Sequence, residues 1–125
     1  MQKLGICILH RIMKQVECVF SNLSEPVVFR IGSCAKENTE LIKASDPDDM
    51  WVHLDAYPSA HVIFTPPASA NKKQLRTLIK RAAELCRRHT NSCKDNTAKS
   101  CYTEVRNLVL GDRDGSVSVG HRKVI

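Results

Sequence analysis

Asp46-Pro47-Asp48-Asp49-Met50-Trp51-Val52-His53-Leu54-Asp55, running on to Ser59-Ala60-His61-Val62-Ile63-Phe64, decides how this chain is read. It gathers the only tryptophan, two of the five histidines and four acids. Asp46-Pro47 opens a turn, because proline fixes its own φ and pushes the preceding residue towards extended backbone. Both runs then alternate with period two, as half-buried strands do. Met50, Val52 and Leu54 take one side, and Trp51, His53 and Asp55 the other. In the second run Ala60, Val62 and Phe64 oppose Ser59, His61 and Ile63. A hairpin of the two must put the apolar parities on one face, since a one-residue slip sends a strand's whole apolar set to the wrong side. Val52 is then expected opposite Val62 and Leu54 opposite Ala60, with His53 across from His61 beside Trp51 and Asp55. That second face is either a functional surface or a group of satisfied polar side chains around a core aromatic.

Working outward, Gln15–Phe20 and Pro26–Ile31 favour strands, with turn chemistry in Ser21–Glu25 and Gly32 closing the second strand. Before them, Leu4, Ile8 and Ile12 recur at helical spacing, but Gly5 and the β-branched isoleucines suit an extra strand equally. Ser33–Ser45 holds a short helix, with Asn38 expected as its N-cap, Glu40 in its first turn, and Leu41 and Ile42 as its buried side. After Thr65-Pro66-Pro67 comes a long helix whose stripe is Leu75, Leu78, Ile79, Ala82 and Cys86. His89–Ser100 is loop-like, Cys101–Leu110 reads as a strand, Gly111–Gly115 as a turn, and Val117–Ile125 as a last strand carrying His121-Arg122-Lys123. The order β-β-α-β-β-α-β-β predicts a single α+β domain, a mostly antiparallel sheet with one short and one long basic amphipathic helix packed on it.

The net charge is +6, and one element carries it. Lys72 to Arg88 holds seven cations against Glu84, while the rest of the chain has twelve cations and twelve acids. Lys72 and Lys73 fall in the first helical turn, where the macrodipole disfavours cations by about 0.3–1 kcal/mol. Arg76 and Lys80 continue the row at i+4 spacing, where like charges repel by roughly 0.2–0.5 kcal/mol per pair. A merely solvated face alternates signs. This row, with Arg81 beside it, reads as an anion-binding surface. The six cysteines show no CxxC or Cys/His zinc spacing, the N-terminus shows no signal-peptide pattern, and no apolar run is long enough for a bilayer. These features predict reduced thiols, a cytoplasmic home and no membrane partner.

Taken together, Gly32, Lys36-Glu37-Asn38, Leu41, Asp48-Asp49-Met50-Trp51-Val52-His53, Ser59-Ala60-His61-Val62, Tyr102-Thr103-Glu104-Val105 and Gly115 resemble the NFACT-R domain. That domain is the RNA-binding part of the NFACT proteins of ribosome-associated quality control. The resemblance covers residues 27–125, which leaves residues 1–26 as an N-terminal extension and the first strand of the sheet. It implies an RNA-linked role in translation, without catalysis by the module. The family pattern has an aromatic where Val52 stands and lysines where Val109 and Leu110 stand, so no nucleic-acid contact carries over to those positions. Recruitment of charged tRNA, which involves the other modules of NFACT proteins, does not carry over either.

Three functions compete. In the first, a small non-catalytic module binds rRNA, tRNA or the ribosome. Lys72, Lys73, Arg76, Lys80 and Arg81 then neutralise phosphates while Trp51, His53 and His61 stack on bases or read their edges. In the second, the same faces engage a ribosomal protein or a coiled-coil partner, because a cationic helix suits an acidic peptide as well as a phosphate backbone. The third, a metal-dependent hydrolase, would need His53 and His61 with Asp49 or Asp55 around the metal. The chain has no HExxH, no glycine-rich phosphate loop and no GxSxG elbow, and neither cofactor nor metal is expected.

Overall fold

The alternating side chains build the centre of the sheet. β3 (Met50–Leu54) runs antiparallel to β4 (His61–Phe64), and Val52 lies opposite Val62 as the parity argument requires. The computed structural model describes residues 14–55, 58–90 and 98–125. The choice between helix and strand for the first residues, and most of the expected loop before Ser100, lie outside that range. Within it, β1 (Lys14–Cys18) and β2 (Val27–Gly32) extend the hairpin on one side, while β5 (Ser100–Glu104) and β8 (Lys123–Val124) extend it on the other. The order is β1-β2-β4-β3-β5-β8, with every neighbouring pair antiparallel. Two helices, α1 (Ala35–Lys43) and α2 (Lys72–Arg88), complete an α+β fold among the described residues. None of its helices is long and apolar enough to cross a membrane.

Both faces of the sheet are covered. α2 packs on the side of Val52, Leu54, Val62 and Phe64, which are fully buried. On the other side, Leu41 and Ile42 of α1 pack with Trp51, Ile63 and Cys101. A separate ribbon of β6 (Leu108–Leu110) and β7 (Val117–Val119) leans on the same core. Alternation in β3 and β4 therefore sorts side chains between two cores, and of the two strands only His53 stays partly exposed.

Four local expectations need correction. α1 begins with Cys34 as its N-cap, and Asn38 lies inside the helix, only 6 % exposed, its N–H bonded to the Cys34 carbonyl at 2.9 Å. The first-turn acid is Glu37, not Glu40, and its carboxylate accepts the Ser33 N–H at 2.9 Å. Gly32 permits this early start, because a Cβ there would sit 2.4 Å from Asn38 Oδ1. Cys101–Leu110 is two strands. β5 ends at Glu104, and a 3-10 turn at Val105–Asn107 carries the chain to the second layer. That crossing is pinned by the Asp46–Asp49 turn, since Val105 N–H donates to the Asp49 carbonyl at 2.9 Å and Arg106 N–H to the Pro47 carbonyl at 3.1 Å. Val117–Ile125 divides likewise: β7 pairs with β6, and β8 returns to the main sheet beside β5.

Candidate nucleic-acid interface

α2 starts at a capping box. Asn71 Oδ1 accepts the Gln74 N–H at 2.8 Å, and Gln74 Oε1 accepts the Asn71 N–H at 2.8 Å. This reciprocal cap satisfies two orphan donors in a first turn that has no acid, and so helps to offset the unfavourable placement of Lys72 and Lys73. Leu78, Ile79, Ala82, Ala83, Leu85 and Cys86 are buried beneath the helix. That packing turns Lys72, Arg76 and Lys80 out along one flank. Facing them, His121 in the approach to β8 and Lys123 within it form a second wall, and the two walls enclose a groove of about 770 Å³ floored by Met50, Leu75, Ile79 and Tyr102. Among the described residues lining it, Glu104 is the one acid. Lys73 is exposed on α2 but does not line the groove.

Arg81 forms an ion pair with Glu84, and Cys18 of β1 and Glu84 push its pKa further up. It lies beside the groove, outside its lining.

Trp51 lies on the opposite face and is 1 % exposed. A base cannot stack directly on an indole already packed among Leu41, Ile42, Ile63 and Cys101. The expectation fails because α1 and the β6–β7 ribbon cover the face that alternation left open. The neighbouring histidines are brought together as the register demands, with ring centroids 4.8 Å apart. His61 is 2 % exposed, and its Nδ1 accepts the Trp51 Nε1–H at 3.0 Å. Burial, reinforced by the charge His53 would carry, lowers the His61 pKa to about 3. Burial also lowers that of His53, against the opposing effects of a backbone hydrogen bond at Leu54 and of Asp55. His53 alone of the expected base-contacting side chains keeps part of its surface accessible.

Asn38, His53, Ser59, His61 and Gly115, scattered along the sequence, line a second cavity of about 430 Å³. Its walls are the start of α1, the connected end of the β3–β4 hairpin, the end of α2 at His89 and Thr90, and the turn between β6 and β7. Gly115 closes that turn onto α1: its φ is +81°, a Cβ there would lie 2.8 Å from Ala35 Cβ, and its N–H donates to Thr39 Oγ1 at 2.7 Å. Lys36 stays exposed on α1 and Tyr102 belongs to the groove. Asp49, 1 % exposed, accepts from Arg30 at 3.0 Å, from the Asp46 N–H at 3.0 Å and from the Thr65 hydroxyl at 2.7 Å. Asp55 accepts from Arg122 at 3.1 Å. Both acids weighed as metal partners are thus engaged by arginines, and among the described residues no three His, Cys, Asp or Glu are grouped to hold a metal ion.

Sequence reasoning does not reach the far wall of the groove or the part Asn38 plays in the cavity. The run His121-Arg122-Lys123 is a local signal, but only the pairing of β8 with β5 brings it against α2.

No family model matches the chain. Coiled-coil domain-containing protein 25 of Danio rerio is 30% identical over 88 residues, which are 69% of this chain and 42% of that protein. The chain therefore spans less than half the length of that curated relative. Among solved structures, the C-terminal of the fibronectin/fibrinogen-binding protein from Streptococcus suis superposes with a TM-score of 0.69 at 20% identity, covering 90% of this chain and 44% of that one. The two share a fold.

Proposed function

We propose that this chain is a non-catalytic RNA-binding module of the cytoplasm that seats a phosphate backbone in the groove between α2 and β8. The observation that carries this reading is the convergence of Lys72, Arg76, Lys80 and Lys123 on one groove with a single acid among the residues lining it. Cations held at fixed spacing along a cleft release condensed counterions when a backbone enters, and so supply affinity without sequence preference. The resemblance to NFACT-R domains directs the proposal to rRNA or tRNA and to translation quality control.

The salt dependence of binding tests it. Single substitution of Lys72, Arg76, Lys80 or Lys123 by Gln should flatten the plot of log affinity against log salt by about 0.7 each for single-stranded RNA. Arg81→Gln should leave the slope nearly unchanged. If the quadruple Gln variant binds RNA with wild-type affinity and slope, the proposal is wrong. A second reading is favoured by the apolar floor of Met50, Leu75 and Ile79, which would suit an acidic amphipathic helix of a ribosomal or coiled-coil partner. Recovery of a crosslinked partner from extract despite nuclease treatment would select it.

A further inference from the structure

The cavity of about 430 Å³ at the connected end of the central hairpin has the size of a small-molecule site. Three features of its wall describe what would fit. The first is a flat surface. His53 lies against the indole of Trp51, the rings 7° from parallel with centroids 5.3 Å apart. His61 is 4.8 Å from His53 and 5.4 Å from Trp51. Of these three rings His53 is the one that keeps part of its surface accessible, and it lines the cavity.

The second feature is the absence of positive charge. Burial depresses His53 and His61, and the His89 pKa is lowered too, so these imidazoles carry no charge at neutral pH. Among the described residues no lysine or arginine lines the cavity and Asp114 does, so its wall exerts no pull on a phosphate or carboxylate. Because Nδ1 of His61 accepts from the indole, the hydrogen of its neutral ring is on Nε2. The third feature is an unused hydrogen-bonding edge. Asn38 lines the cavity, is more than nine-tenths buried, and its Oδ1 has no protein partner. Such an acceptor is costly unless a donor reaches it. The hydroxyls nearby are already engaged: Ser59 accepts from Leu54 N–H and donates to the Ala60 carbonyl, and Thr90 accepts from Ala60 N–H and donates to the Cys86 carbonyl.

A flat, uncharged ring with N–H groups on its edge is a nucleobase. We propose that this cavity holds one unstacked nucleobase, laid on the outer face of His53 with its edge against the Asn38 amide. The indole, buried as it is, then backs a stack of indole, imidazole and base. Unpaired bases splayed out of single-stranded RNA are bound in this manner, on aromatic faces and through their edges. The proposal rests on the RNA reading above for the source of the base, a nucleotide within a strand. The base chemistry itself is shared by free mononucleotides.

The test follows the imidazole resonances of His53 and His61 in the full chain while adding each of the four 5′-mononucleotides, then short homopolymer RNAs, with ribose 5-phosphate as the base-free control. At least one mononucleotide should shift the His53 resonances, and ribose 5-phosphate should not. His53→Ala should weaken the matching RNA about 5- to 150-fold, the worth of one stacked base, without changing the salt slope. His53→Phe, which keeps a flat face, should bind close to wild type. Mononucleotides that leave His53 unmoved, together with wild-type RNA affinity in His53→Ala, would overturn the base site and leave the groove reading standing. A mononucleotide that moves His53 in a protein that binds no RNA would support the cavity as a free-nucleotide site and overturn the groove reading. The wild-type titration does not depend on any variant folding.

Discussion

His61 is a titratable group held where a proton is costly. Its pKa is about 3 in the fold and near 6.5 in the unfolded chain, so the unfolded chain binds the proton more readily. The stability associated with its neutral form is therefore complete above pH 6.5 and is lost as the pH falls towards 3. Between pH 6.5 and pH 5, where most carboxylates stay ionised, the loss should be about 2 kcal/mol, and His53 should add to it in the same direction. Urea denaturation at pH 7, 6 and 5 measures it. Glutamine at this position can still accept the indole N–H but does not titrate, so His61→Gln should flatten the dependence. If the variant keeps the wild-type dependence, the acid sensitivity lies elsewhere. Trp51 gives the complementary lesson: a single indole among charged residues looks like a binding side chain, yet its donor is matched to a buried acceptor and its ring fills a core.

The approach of α1 to β2 depends on Gly32. A methyl group there would meet Asn38 Oδ1 at 2.4 Å, so either the amide or the helix must move. Gly32→Ala should destabilise the fold by about 1–3 kcal/mol, as overpacking does. Truncating Asn38 removes the nearest contact and leaves the tight approach to its backbone at 3.1 Å, so the Gly32→Ala, Asn38→Ala double variant should lose less than the two single variants combined. Thermal or urea unfolding of the four proteins closes the cycle, and simple additivity would show that the contact does not govern helix placement. The start of α1 is hard to read in sequence for the same reason. Asn38 is a good capping residue by type, and only the fold-back at Gly32 puts the helix start at Cys34, whose side chain makes no capping bond. α2 is easier to read, because a reciprocal Asn71–Gln74 cap and a stripe of buried side chains are properties of the segment alone.

One sheet carrying a core on each side sorts the thiols by depth. Among the described residues Cys18, Cys34, Cys86 and Cys101 are free. Cys34 is exposed, whereas Cys86 and Cys101 are buried, and burial raises the pKa of Cys86 to about 11. Native alkylation followed by peptide mass mapping should therefore label Cys34 first, and Cys86 and Cys101 only at the rate at which the fold opens. Equal labelling of Cys34 and Cys86 would mean that α2 does not seal its core. Cys7 and Cys93 lie outside the described residues.

Periodicity and register are short-range properties, and they are legible in the residues. The alternation of Met50–Leu54 against Ala60–Phe64 is enough to place Val52 opposite Val62 and His53 beside His61, because pleating leaves each strand only two faces to choose between. The concentration of cations on Lys72–Arg88 is likewise a fact of the chain alone. What covers each face is not local. The burial of Trp51 and His61 needs α1 and the β6–β7 ribbon to arrive from distant stretches. The groove needs β8 to cross back to β5, and the cavity needs Gly115 to close on Ala35. Those arrivals are decided by tertiary packing, since apolar side chains on both sides of one sheet leave water only when another element is laid over each.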